Sequence, residues 1–280
     1  MSGTLYLVGT SIGNLEDVTL RALRILREVD LVAAEDTRVA MKLFGRYDIH
    51  TPTISYHQHS GPRKIAEIIE KLMEGQSVAL ISDAGMPGIS DPGQDLIRKA
   101  IEQGIPIVPI PGANAAITVV AVSGLSESGF SFVGYPPRRR GDRLKFFGQL
   151  KSRSEALVFY EAPRRLLATL ESALSALGDR QTVIGREVTK LHEEIFRGAL
   201  GQAIERFSAG EIRGEVTVVI AGTRPGEEEA PAADAAGALK SALDSGLSDR
   251  DAVKQVSESL GLPRRRVYAE MLRLKQDERR

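Results

Sequence analysis

At 280 residues, with 42% hydrophobic and 26% charged side chains, the chain has the composition of a soluble globular protein long enough for two domains and a further small unit. Its 37 basic and 37 acidic residues balance, so any nucleic-acid binding must come from local patches. The lack of cysteine excludes disulfides, thiolate metal sites and cysteine nucleophiles; with no apolar run of about eighteen residues and no leader-like start, a cytoplasmic protein without membrane spans is expected.

In chain order, Leu5 to Val8 predicts a short strand, and Gly9 to Asn14 a glycine-bearing turn before a helix over Thr19 to Glu28, opened by Asp17-x-x-Leu20. The turn has neither a P-loop lysine nor the three-glycine dinucleotide spacing. Leu31 to Ala34 is a second strand that runs into Glu35-Asp36-Thr37-Arg38. Polar groups at a strand's carboxyl end suit a substrate site, and Asp36 or Thr37 also suits the N-cap of a helix through Phe44. His57 and His59 would share one face of an extended segment, but no nearby third ligand is evident, so a polar loop facing substrate is favoured over a metal site and no metal is expected.

A helix over Lys64 to Met73 and a strand over Val78 to Ile81 lead to ISDAGMPGISDPG, residues 81–93. Its three glycines, two prolines and two aspartates fix unusual backbone angles and open the main chain to a ligand at the carboxyl edge of a sheet. The alternative is a structural turn with Asp91 as N-cap and Pro92 at the first position of the helix Gln94 to Glu102. Ile105 to Ile110 is the next strand, and PGANAA at 111–116 opens another helix with small residues. Strands alternating with helices predict parallel βαβ units.

The pattern pauses near Ser123 to Gly129, and a second α/β block starts with Phe130 to Val133. Pro136 to Arg143 then reads as a loop carrying Arg138, Arg139 and Arg140, whose planar forks suit phosphate, with a solvated charged loop as the equal alternative. Ala156 to Tyr160, Thr182 to Gly185 and Glu215 to Ala221 are further strands, with Glu161, Arg164 and Arg165 before the helix Leu166 to Leu177, and Arg186 to Lys190 leaving the strand at Gly185. The Pro-, Ala- and Glu-rich stretch at 223–236 reads as a linker, followed by three short helices in a helix-turn-helix-like unit. Arg264, Arg265 and Arg266 open its last helix, where they oppose the helix dipole, so stability explains them poorly; nucleic-acid contact and a packing appendage with basic solubility residues are the two open readings. The expected division is 1–124, 125–222, a linker at 223–236 and a helical unit at 237–280.

AEDTR, PGANAA, FVGYPPR, YEAPRRL and GREVTKLHEEIFRG, in this order with the glycine loop, resemble the ribosomal RNA small subunit methyltransferase I family, which has the fold of the tetrapyrrole methylases. The resemblance covers Thr4 to about Gly222. It implies two α/β domains with a cofactor cleft between them, S-adenosyl-L-methionine as donor, and the ribose 2′-hydroxyl of a decoding-site cytidine in 16S rRNA as acceptor, within a small ribosomal subunit. A homodimer is also implied. Carried over by motif, Ser82, Asp83, Ala84, Gly85, Met86, Asn114 and Ala115 would face the donor from one domain, and Tyr160, Glu161 and Glu187 with Val216 from the other. The tetrapyrrole enzymes have Gly-Asp-Pro where this chain has Ser82-Asp83-Ala84. Glu35, Asp36, Glu187 and Lys190 are the candidates for a base or an oxygen-polarising group. For RNA, Arg138, Arg139, Arg140, Arg164 and Arg165 form one patch, and Arg264, Arg265 and Arg266 a second. The rival readings are methylation of a tetrapyrrole or other non-RNA acceptor, and a non-catalytic nucleic-acid-binding ligand sensor.

Overall fold

The computed structural model describes residues 2–89, 91–223 and 230–260, together with 267, 268, 270, 271 and 274. Five strands, β1 (Leu5–Val8), β2 (Leu31–Ala34), β3 (Thr53–Ser55), β4 (Val78–Ile81) and β5 (Ile107–Ile110), form a sheet in the order β3-β2-β4-β1-β5. Every pairing in it is parallel, as the alternation of strands and helices predicts. Its central strands are apolar at every position because helices cover both faces. Val8, Val32, Ala34, Ala79 and Ile81 pack toward α1 (Leu20–Glu28) and α2 (Thr37–Tyr47). The alternate residues Leu5, Leu31, Ala33, Val78 and Leu80 pack toward α3 (Pro62–Met73) and α4 (Gln94–Glu102). Pro109 lies in β5, an edge strand, where a missing N–H is tolerated.

The second sheet joins β6 (Phe130–Phe132), β7 (Ala156–Glu161), β8 (Gln181–Arg186), β9 (Glu194–Ala199) and β10 (Val216–Ile220) in the order β6-β7-β10-β8-β9. Only β6 and β7 run parallel. One face meets α6 (Arg140–Gln149), α7 (Leu166–Leu177) and α8 (Leu200–Ser208). The other face receives α5 (Ala115–Ala121), whose Ala116, Val119 and Val120 pack on Ala156, Val158, Val183 and Val219. Since α5 leaves the last strand of the first sheet, its apolar face ties the two sheets together, and residues 1–151 and 155–221 form one compact unit.

Several local expectations change. Thr19, not Asp17, caps α1, accepting from the Ala22 N–H. Gly93, not Asp91, occupies the N-cap position of α4. Arg140 begins α6, so the arginine run is a loop only through Arg139. His57 and His59 belong to a turn in which the His59 N–H donates to His57 Nδ1, not to one face of a strand. Strand β9 and helix α8 were not foreseen.

The second unit comprises residues 152–154 and 222–280. Its helices α9 (Ala230–Asp244) and α10 (Asp249–Ser259) bury Leu239, Ala242, Val253 and Val256 with Val267 and Met271. Helix α9 begins inside the stretch read as linker. Arg264, Arg265 and Arg266 lie outside the described residues. No described helix is long and apolar enough to cross a membrane, and no group of three or more potential metal ligands occurs among the described residues.

Candidate active site

The carboxyl ends of β1, β4 and β5 meet because two glycines let their loops touch. Gly9 and Gly112 pack backbone to backbone, so close that a Cβ on Gly112 would lie 2.6 Å from the Gly9 carbonyl carbon. The Thr10 N–H donates to Gly85 O at 2.9 Å and the Gly85 N–H to Ser11 O at 3.3 Å, which stitches the first turn to the long loop after β4. Gly85 has φ +75, a left-handed conformation that glycine adopts without cost.

Around this junction opens a cavity of about 390 Å³. Its first wall is Ile12, Glu35, Asp83, Ala84, Gly85, Met86, Ile89, Asp91, Asn114 and Ala115. Its second wall is Tyr135, Tyr160, Glu161, Ala162, Pro163, Gly214, Glu215, Val216 and Thr217. Tyr135 and Tyr160 face one another with ring centroids 5.7 Å apart, and Phe132 braces Tyr160 edge-on at 5.0 Å. Of the donor-facing candidates, Asp83, Ala84, Gly85, Met86, Asn114, Ala115, Tyr160, Glu161 and Val216 therefore converge on one space. Ser82 does not line it; the side chain is buried and donates to Ala84 O at 3.3 Å. The Asn114 side chain caps α5, its Oδ1 accepting from the Ile117 N–H, which leaves the Nδ2 amino group to face a ligand.

Five lining residues are carboxylates and none is a lysine or arginine. Glu161 is already neutralised by Arg165, with 3.1 Å between Oε1 and Nε. Glu215 is paired with Lys190, with 3.1 Å between Oε2 and Nζ, so Glu35, Asp83 and Asp91 remain. Burial is the main cause that raises the pKa of Glu35, and Asp83 is raised in the same way. Asp91 is pushed up to about 6, first by burial and then by the negative charge of Glu35. A site with this charge disfavours anions and favours a cation.

The four catalytic candidates separate. Glu35 lines the cavity, and its carboxylate accepts from the Asp83 N–H at 3.4 Å while Asp83 Oδ1 accepts from the Asp36 N–H at 2.9 Å. Asp36 turns away: it caps α2, pairs with Arg38 at 2.6 Å, and these bonds lower its pKa to about 2. Glu187 and Lys190 stand behind the second wall. Lys190 Nζ bridges Glu187 at 2.9 Å and Glu215 at 3.1 Å. Burial works against the Lys190 charge, but the bonds from both carboxylates outweigh it and the net shift is upward. The bond from Lys190, then that from the Glu215 N–H, lowers Glu187. Both groups are held in their charged forms.

Arg138, Arg139, Arg140 and Arg164 are exposed and pair with no carboxylate among the described residues, whereas Arg165 turns inward. Sequence reasoning missed Tyr135, Glu215 and the cavity role of Asp91. For Asp91 the signal was present, an aspartate within a ligand-type loop, but the capping alternative absorbed it.

A family profile described as Tetrapyrrole (Corrin/Porphyrin) Methylases matches residues 4–204. A protein of Halalkalibacterium halodurans named ribosomal RNA small subunit methyltransferase I is 43% identical over 272 residues, 95% of this chain and 93% of the relative. A Thermotoga maritima protein of the same name is 47% identical over 220 residues, 79% of this chain and 99% of its own length. Among solved structures, uroporphyrin-III C-methyltransferase from Thermus thermophilus, complexed with S-adenyl homocysteine, shares the fold at TM-score 0.54 and 19% identity, covering 78% of this chain and 97% of that one.

Proposed function

Because the chain belongs to the tetrapyrrole (corrin/porphyrin) methylase family, with relatives named ribosomal RNA small subunit methyltransferase I, we propose that it is an S-adenosylmethionine-dependent methyltransferase acting on small-subunit rRNA. The acceptor is the ribose 2′-hydroxyl of a decoding-site cytidine in 16S rRNA. The same reading makes the protein a cytoplasmic homodimer whose substrate is RNA within the small ribosomal subunit.

The observation that carries this reading is the carboxylate-lined cavity without a basic residue. About 390 Å³ is within the usual range of ligand pockets, and the stitched glycine loops give close main-chain access. The residues fit the donor: Asp83 and Asp91 complement its cationic groups, while Ile12, Met86, Tyr135, Tyr160 and Val216 provide apolar surface. When bound, S-adenosylmethionine supplies a methyl group on a positively charged sulfur, open to in-line attack.

The chain then has two tasks, to hold the hydroxyl in line and to receive its proton. Alignment is worth about 7 to 11 kcal/mol of barrier, whereas a general base adds about 10²- to 10⁴-fold, or roughly 3 to 5 kcal/mol. Positioning dominates. For the proton, Glu35 is the group of choice, because it faces the cavity and burial brings its pKa closer to neutrality. Asp36 and Glu187 are too acidic in their hydrogen-bonded forms, and Lys190 is protonated, so the three act by holding Glu35, Glu215 and the surrounding loops. Arg138, Arg139, Arg140 and Arg164 meet RNA phosphates, and Arg264 to Arg266 form the second patch.

Calorimetric titration with S-adenosylmethionine tests the cavity assignment. One site per chain is expected, weakened at least tenfold by Asp83→Asn with Asp91→Asn; no heat of binding from the folded wild type would overturn it.

A further inference from the structure

The segment from Pro136 to Arg139 leads from β6 to α6 with few hydrogen bonds of its own. Val133 N–H still pairs with Val158 O at 2.8 Å, and Tyr160 N–H with Gly134 O at 3.0 Å, but beyond Gly134 two successive prolines have no N–H to offer. Two arginines, Arg143 in α6 and Arg165 just before α7, take up carbonyls of this segment. Arg165 Nη2 donates to Pro136 O at 2.5 Å. Arg143 Nη1 donates to Arg138 O at 3.1 Å and lies 3.4 Å from Pro137 O.

Neither arginine is free to meet a ligand. Arg143 is 4% exposed and spends its other nitrogens on Ser172 Oγ at 3.0 Å and Ala168 O at 2.9 Å, both on α7. Arg165 is braced by Glu161, itself 2% exposed and fixed by Thr169 Oγ1 at 2.6 Å. Burying a guanidinium that has no ion-pair carboxylate among the described residues is costly, and an apolar side chain would fill the same volume at less expense. What the guanidinium adds is a planar fork that fixes several carbonyls at once.

We infer that Arg143 and Arg165 are positioning residues that hold the backbone of residues 136–138 and so keep Arg138 to Arg140 at the surface to receive RNA phosphates. This rests on the RNA reading proposed above. It divides the arginines of this region into an inward pair that shapes the loop and an outward group that meets the substrate.

The loop reports on its own order, since trypsin cuts after arginine. Arg143→Ala in the full chain is expected to raise cleavage after Arg138, Arg139 or Arg140 at least tenfold, read by mass spectrometry. The KM for small ribosomal subunits should rise about tenfold, the scale of re-ordering one or two backbone residues on binding, with kcat and S-adenosylmethionine affinity within about twofold of wild type. A folded Arg143→Ala protein with unchanged cleavage and unchanged KM would overturn the inference. Arg143→Lys keeps the charge but not the fork; it should be cut like the alanine variant, and wild-type resistance would equally overturn the inference, also where Arg143→Ala fails to fold. If the wild type methylates no RNA, the functional reading fails, while the cleavage rates still decide whether these arginines hold the loop.

Discussion

Asp91 links charge to ligand at the scale of one residue. Its carboxyl is neutral in the folded protein up to about pH 6 because of burial and Glu35, whereas an unfolded chain ionises it near pH 4. Between these values the folded state binds the extra proton, so the Asp91 contribution to donor-free stability is greatest below about pH 4 and declines as pH rises through about 6. Donor affinity should run the other way, increasing through pH 6 as the carboxylate forms, and Asp91→Asn should flatten that profile in calorimetry from pH 5 to 7.5. Glu35→Gln should lower the single-turnover rate about 10²-fold or more, the typical worth of a general base, while Asp36→Asn, which keeps the α2 cap, costs much less. Equal losses in the two variants would remove Glu35 from its assigned role. In RNA binding, each of Arg138→Ala, Arg139→Ala, Arg140→Ala and Arg164→Ala should reduce the log–log salt slope by about 0.7 if it removes one phosphate contact. At this scale the sequence showed the chemistry available but not its direction. Asp36 and Glu35 are adjacent, yet one turns to Arg38 and the other into the cavity, because the cap geometry of α2 decides between them.

Elements built on regular patterns were legible and those without were not. The strands β1, β2 and β4 stand out as short apolar runs because helices cover both faces of their sheet. Strand β9 is half-exposed along its length at a sheet edge, so EIFRGA has no buried face to announce it. Helix α6 buries only Arg143 and Phe147 of its ten residues, and a charged helix of that kind reads as loop. The loop junction was legible as glycine-rich, but the contact between Gly9 and Gly112 spans a sequence distance that local pattern cannot encode. Its packing predicts that Gly112→Ala, by forcing a Cβ toward the Gly9 backbone, destabilises the fold by about 1 to 3 kcal/mol, the range for overpacking. Urea unfolding with an unchanged m-value would register this as a shifted midpoint, together with weaker donor binding. A neutral effect on both would mean that the two loops separate without cost.

For the whole molecule, the division at Ala221 separates a complete cavity from the helical unit that follows. The Thermotoga maritima relative matches 79% of this chain over 99% of its own length, so about a fifth of this chain has no counterpart in it. A chain ending at Ala221 is therefore expected to bind S-adenosylmethionine within about twofold of the full protein and to lose affinity for RNA if Arg264 to Arg266 contribute; a loss of donor binding would tie the helical unit to the cavity. The balance of 37 basic and 37 acidic residues across the chain gave no hint of an RNA substrate. The order of motifs carried that information instead. On the proposed function, this cavity delivers a methyl group to one ribose of the small-subunit RNA. The most direct test of that function is transfer of label from radiolabelled S-adenosylmethionine to small ribosomal subunits from cells lacking the activity, with the label mapped to base or ribose. Label on a single 2′-oxygen of a decoding-site cytidine is the predicted result; donor binding without label on the RNA, or label on a base, would contradict it.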